Sequence, residues 1–342
     1  MIVMNKLAAL LFLLIFAALS CKKTDTAEPD TTPSNFTLNP TVSTDSSGGV
    51  SFTTAATNAV MYTFDFGDGT KEVSVTGVVT HHYAASAIYT VTVVAKSATG
   101  KTASKTTIIT VVVVRGLVWA DEFDGTQLNS SKWSYELGAG GWGNNELQYY
   151  TNRADNSVVS DGTLKIILKK ENYQGSSYTS ARMLTKGKFS FKYGKIEVRA
   201  KLPAGGGTWP AIWMLGDNIL TGTPWPACGE IDIMEHVGNE LNKIRGSLHD
   251  PSSYGNTVNT GTTVIPTATT EFHIYSMEWS ALTIKFFVDN VPYYTFGNNT
   301  THPFNQNFFF ILNVAMGGNY GGTIDQNISS AQMEIDYVRV YQ

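Results

Sequence analysis

Three acids stand close together in Gly229-Glu230-Ile231-Asp232-Ile233-Met234-Glu235-His236. Carboxyl groups placed on either side of an acetal can act as nucleophile and proton donor, the chemistry that hydrolyses glycosidic bonds. The β-branched residues between the acids predict a strand, in which residues i and i+2 share a face. Glu230 and Asp232 then project together, while Ile231 and Ile233 pack into the core. Parity puts Glu235 on the wrong face. One extra residue accommodated as a β-bulge at Ile233–Met234 returns it to the side of Glu230. Glu230 and Glu235 are then about four strand steps apart, roughly 13 Å between Cα atoms. If each side chain reaches ~4 Å inward, the carboxyl groups stand about 5 Å apart. That fits retaining glycosidases, at about 5–5.5 Å, rather than inverting ones, at about 6.5–9.5 Å. Asp232 falls between the two glutamates, where it can share a proton with Glu230 and hold them in different protonation states. Acids alternating with Ile also describe the solvated face of an amphipathic strand. Three acids with no Lys or Arg among them repel one another, however, and a merely structural face has little reason to accept that.

Strands must hold this face, and the chain supplies them. From Gly116 onward, runs such as GTLKIILKK, GKFSFKYGKIEVRAKLP, ALTIKFFVDNVPYYTF, FFFILNVAMGG and MEIDYVRVYQ are separated by Gly, Asn or Pro. None keeps a helical period beyond a couple of turns. Residues 116–342 therefore predict a large antiparallel sandwich or jelly roll whose curved face can hold an extended chain. Residues 35–115 differ: TFDFGDGT feeds alternating aromatics into a tight turn, and two further period-2 runs complete a small β-sandwich. Asp65 and Asp68 there read as turn formers before glycine rather than metal ligands. A hydrophobic fraction of 42% with 31 Gly, 16 Tyr and 17 Phe agrees with an all-β chain. A net charge of -4 leaves no basic footprint for nucleic acid and suits a neutral polymer.

Sugars are held by aromatic faces and by polar side chains on their hydroxyls. GWGNNELQYY and GTWPAIWML carry both. Trp142 follows Gly138, Gly140 and Gly141, a loop setting that suits an exposed ring. Trp133 and Trp279 read as core. Cys228 lacks a His–Asn arrangement and reads as a small packed residue.

Residues 229–238 resemble the active-site strand of the family-16 glycoside hydrolases, and other segments match in the same order across 117–342. The resemblance implies a concanavalin A-like jelly roll and an endo-acting, retaining hydrolase. Glu230 would be the nucleophile, Asp232 its assisting acid and Glu235 the general acid/base. The inserted Met234 matches the laminarinase-like branch, which implies a β-1,3-glucan such as laminarin, or mixed-linkage β-glucan. Asn144 would contact a sugar on the non-reducing side, and Arg182 in SARMLTKGKF would bond sugar hydroxyls. Trp209 and Trp213 would flank the cleavage subsites. His249 in GSLHDPS would stand near the leaving-group side or serve as a structural residue, and Asn313 would support the cleft floor. The chemistry calls for no cofactor. Family members often carry a structural Ca²⁺, at positions matching Glu122, the Gly162 carbonyl and Asp336, and oxygen donors suit that ion. Residues 35–115 resemble a PKD domain, an Ig-like sandwich, through FDFGDGT, His82-Tyr83 and Ile88-Tyr89-Thr90-Val91. Such modules serve as spacers or weak polysaccharide binders. The alternatives are the same fold acting on agarose or porphyran, and a polysaccharide-binding lipoprotein without catalysis.

Residues 1–20 read as an export signal, with Lys6 before an apolar run, Leu7–Leu19, too short to span a bilayer. Ala18-Leu19-Ser20-Cys21 resembles a bacterial lipobox, which implies lipidation of Cys21. The exported chain would then be held at a bacterial outer membrane or cell surface by acyl chains alone. An ordinary signal peptide cleaved nearby is the other reading. Residues 21–34 form a polar tether that cannot bury a core. Cys228 would be the remaining thiol, which leaves no intrachain disulfide, and a monomer is expected.

Overall fold

A computed structural model describes residues 31–44 and 47–342. The export signal, Cys21 and most of the tether lie outside the described residues. The chain divides into two compact units, the larger holding Ile109–Gln342 together with Thr41–Ser51 and Thr80–Tyr89. The all-β expectation holds: the single α-helix among the described residues is Gly318–Gly321.

The N-terminal region forms a three-stranded sheet (Ser34–Val42, Gly49–Thr57, Val78–His82) and a four-stranded one (Lys71–Ser74, Ala59–Asp65, Ala87–Ser97, Thr102–Val111). Phe52 of the first meets Phe64 of the second and Phe66, just past its strand, at ring distances of 6.1 and 5.6 Å. Asp65 and Asp68 are turn residues, as expected. Asp65 accepts from the Gly67 N–H and Asp68 from the N–H and hydroxyl of Thr70.

The larger unit stacks two sheets. One has ten strands. Its main run, in spatial order, is Gln148–Tyr150, Ser176–Ser180, Thr163–Tyr173, Ser330–Tyr341, Gly194–Lys201, His273–Trp279, Thr283–Val288 and Val291–Gly297. The other comprises Ser134–Glu136 (β1), Arg182–Leu184 (β2), Thr208–Gly216 (β3), Glu230–His236 (β4), Lys243–His249 (β5), Thr260–Val264 (β6) and Phe308–Met316 (β7), in the order β6-β5-β4-β3-β7-β2-β1. Alternation supplies the core: Ile196, Val198 and Ala200 from one sheet meet Ile212, Met214, Leu312 and Val314 from the other. Trp133 and Trp279 are buried there, as expected, and each indole N–H is satisfied, by Asp121 Oδ2 at 2.7 Å and by the Phe304 carbonyl at 2.9 Å. Strand β7 is buried along its whole length because both its faces are covered. Phe308, Phe310 and Leu312 turn inward. Phe309 and Ile311 turn outward into a second apolar cluster with Leu184, Leu215 and Cys228, against which Trp213 packs. Cys228 is thus a packing residue, its thiol pushed up to about 11 by burial. This outward cluster is the bed on which the site is laid.

Candidate active site

Strand β4 carries the acids, and its register contains the kink that parity demands. Against β3, Asp232 pairs with Trp213 and Met234 with Ile212, so Ile233 has no partner. Against β5, Asp232 faces Ser247 and Glu235 faces Arg245, three steps matched to two. Ile233 and Met234 both enter the core, and Glu235 comes back to the face of Glu230 and Asp232. Opposite the bulge stands Gly246. A Cβ there would lie 2.6 Å from the hydroxyl of Tyr293 and 2.8 Å from the Phe286 ring, both reaching across from the ten-stranded sheet. Glycine at 246 thus makes room beneath the kink.

His249 closes the Glu230 end. Its Nε2 lies 2.9 Å from Asp232 Oδ2 and 3.6 Å from Glu230 Oε1. On β5, His249 is the register partner of Glu230, at the far end of β4 from Glu235. Burial, and then the charge of Asp232, push Glu230 up to about 8, while His249 and Arg182 oppose the rise. Burial pushes Asp232 up to about 8. Glu235 also rises to about 8, through burial and then Asp232, against His249, the Trp209 indole and Arg245. Burial thus raises all three acids, which titrate as one coupled set.

The aromatic residues take up distinct posts. Trp209 Nε1 donates to Glu235 Oε1 at 3.0 Å. Trp213 Nε1 donates to Asn313 Oδ1 at 2.8 Å, and Asn313 Nδ2 donates to the Tyr150 hydroxyl at 3.0 Å. That hydroxyl donates to Glu146 Oε2 at 3.0 Å, and Asn144 Nδ2 donates to Glu146 Oε1 at 3.3 Å. One buried relay therefore links two expected sugar contacts, Trp213 and Asn144, with Asn313 as its support. Arg182 is clamped between indoles, 4.9 Å from the Trp142 ring centroid and 4.8 Å from that of Trp213. Its Nε stands 2.8 Å from Glu136 Oε2 as a charge contact without directed hydrogen-bond geometry. Its guanidinium thus packs into the aromatic wall. Trp142 is half-buried, with left-handed backbone (φ 49, ψ 32), and meets the Tyr150 ring edge-on at 5.3 Å.

The structure adds Trp225, 42% exposed, with its ring 6.3 Å from His249 and edge-on to Tyr254 at 5.4 Å. The signal was present: a Trp between two prolines in TPWPACGEID cannot join a regular strand, and the loop argument used for Trp142 applies to it equally. Arg245, Tyr320 and Glu146 carry no comparable local signal.

The expected calcium ligands are otherwise engaged. Arg339 forks onto Glu122 at 2.8 and 2.7 Å, and Arg199 holds Asp336 at 2.5 Å. Gly162 lies in the turn between Ser157–Ser160 and Thr163–Tyr173. With both carboxylates matched by guanidinium charge, this set does not fit a calcium ion.

A family model described as Glycosyl hydrolases family 16 matches residues 144–339, and one described as PKD domain matches residues 26–113. The chain belongs to glycosyl hydrolase family 16. A β-glucanase of Rhodothermus marinus is 46% identical over 243 residues, 66% of this chain and 85% of that protein. The laminarinase structure from the same organism superposes with a TM-score of 0.65 at 46% identity, covering 67% of this chain and 98% of that one. LamA from Z. galactanivorans, in complex with laminaritriose and laminaritetraose, gives 0.61 at 44% identity over 66% of this chain and 98% of its own. This family-16 chain is a glycoside hydrolase with a jelly-roll catalytic region and a PKD domain ahead of it.

Proposed function

We propose that this family-16 enzyme cleaves internal linkages of β-1,3-glucan, or mixed-linkage β-glucan, with retention. The observation that carries the reading is the bulge of β4, which gathers Glu230, Asp232 and Glu235 on one face beside Trp209 and Trp213. Glu235 protonates the glycosidic oxygen while Glu230 attacks the anomeric carbon, and the C–O bond to the leaving sugar breaks as the glycosyl-enzyme ester forms. Water, deprotonated by Glu235, then releases the sugar from Glu230 with its configuration restored. Asp232, hydrogen-bonded to His249, holds the proton balance beside Glu230. The likeness to laminarinases supports the choice of polymer.

The test is digestion of laminarin, lichenan, agarose and porphyran, with product linkage and anomeric form read by NMR. Laminarin is expected to yield oligosaccharides whose new reducing ends appear first as the β anomer. Glu230→Gln is expected to abolish release, and Glu235→Gln to slow it by about 10²–10⁴-fold. Cleavage confined to agarose or porphyran would move the substrate to a galactan. Unchanged release by Glu230→Gln would leave only a binding role. We also propose that Cys21 bears the lipid that holds the exported enzyme at a membrane surface.

A further inference from the structure

A cation stands at the Glu235 end of the site, and the mechanism above does not use it. Arg245 on β5 is the register partner of Glu235. Its guanidinium lies over the ring of Tyr320, 5.0 Å from the centroid, and its Nε is buried without a hydrogen-bond partner. The same ring meets Trp209 edge-on at 5.4 Å, and Trp209 donates to Glu235. Two neighbours of Glu235 therefore rest on one tyrosine.

That tyrosine is itself held. Asn239 Nδ2 donates to the carbonyls of Gly321 and Thr323 at 2.6 and 2.9 Å. Asn145 Nδ2 donates to Asn319 Oδ1 at 2.8 Å, and the Asn319 N–H donates to the Asn144 carbonyl at 2.8 Å. The loop that seats Arg245 is thus tied to β4's far flank and to the Asn144 loop.

We propose that Arg245, seated on Tyr320, is a positioning residue whose fixed charge limits how tightly Glu235 keeps its proton and so sets where activity falls on the alkaline side. The inference rests on reading Glu235 as the acid/base. An acid that gives and then takes one proton works best when its proton affinity lies near the working pH. Burial and Asp232 drive that affinity upward, and a cation opposite draws it back. The groups facing Glu235 are Asp232 and Glu230 on its own strand, Arg245 and His249 on β5, and the Trp209 indole on β3. Tyr320 faces it from the loop and Tyr293 from the opposing sheet. Glu240, which acts on Tyr320, is matched by Lys243 at 2.9 Å. Among the described residues that face Glu235, Arg245 alone carries a permanent positive charge.

The experiment is the pH profile of kcat/KM on laminarin for the full chain and for Arg245→Met, Arg245→Lys and Tyr320→Leu. Arg245→Met is expected to move the alkaline limb upward by about half to one pH unit and to leave the acid limb, which reports Glu230, in place. Arg245→Lys keeps the limb near that of the unaltered enzyme. Tyr320→Leu moves it the same way as Arg245→Met, and the double variant exceeds Arg245→Met only by the part that the Trp209 indole carries. An alkaline limb unmoved in an active Arg245→Met enzyme overturns the proposal. Should that variant not fold, an unmoved limb in Tyr320→Leu overturns it equally. Failure of the underlying reading looks different: Glu235→Gln would then match the unaltered enzyme at every pH.

Discussion

A carboxyl group buried beside other carboxyl groups weakens the fold whenever it must ionise, and the site residues carry that cost. Glu235 has a folded-state affinity near pH 8 against an ordinary value of 4.5. Below pH 4.5 both folded and unfolded chains are protonated there, and the group is neutral to stability. Between 4.5 and 8 the unfolded chain releases a proton that the folded one keeps, so unfolding gains as pH rises, and the penalty is complete above 8. Glu235→Gln removes it and keeps an oxygen for the Trp209 indole. The variant is expected to unfold at higher temperature than the unaltered enzyme at pH 7, by on the order of 1 kcal/mol, with the two converging at pH 4. Thermal unfolding at both pH values checks this, and a lower melting temperature at pH 7 would contradict it. The acids themselves were legible in the sequence because carboxylates have few other reasons to crowd. Their partners were not: Arg245 and Tyr320 lie 10 and 85 positions from Glu235 and meet it only through pairing and a loop.

At the scale of elements, the bulge was readable because a strand has a period of two and the spacing of the acids admits one repair. The stretch KFSFKY shows the opposite case. Its alternating aromatics read as a strand, yet regular pairing begins only at Gly194. Tyr193 takes φ 63, and the Phe189 and Phe191 rings stack on each other at 5.4 Å instead of facing apart. Ring packing against Trp119 and Phe310 overrode the local pattern. The relay from Trp213 to Asn144 joins β3, β7, the strand Gln148–Tyr150 of the other sheet and a loop, and Tyr150 is its middle member. Tyr150→Phe leaves Asn313 and Glu146 each short of one partner inside the protein. It is expected to cost about 1–3 kcal/mol in urea unfolding. The value of kcat/KM on laminarin should fall while both pH limbs hold, since no titrating group of β4 is touched. Unchanged kcat/KM would mean that Trp213 and Asn144 keep their places without the relay.

For the whole molecule, the sequence carried two β-textures, and the described residues form two pairs of sheets. What it could not show is which polar atoms are spent inside the protein. The expected calcium carboxylates are one example, since each has found an arginine from a strand far away in sequence. The lipid reading makes a prediction at this scale. Acyl chains hold a protein at a bilayer only through the cysteine that bears them. Cys21→Ser is therefore expected to move the enzyme from the membrane fraction to the soluble one, with activity on dissolved laminarin unchanged. Fractionation followed by a reducing-end assay checks both halves, and membrane retention of the variant would rule out this anchor.

The bulge also governs how a strand of this kind can change its length over time. A strictly alternating version and a version with one extra residue can each place three acids on one face. A version with the added residue but no kink cannot, because Glu235 would point into the space that Met234 now fills. A single inserted codon therefore either comes with its kink or destroys the enzyme in one step. The kink needs room on the neighbouring strand, where any side chain at 246 would strike Tyr293 and Phe286. The kink and the glycine therefore go together, and a residue without a side chain on the strand next to the acids sets whether the extra length is tolerated.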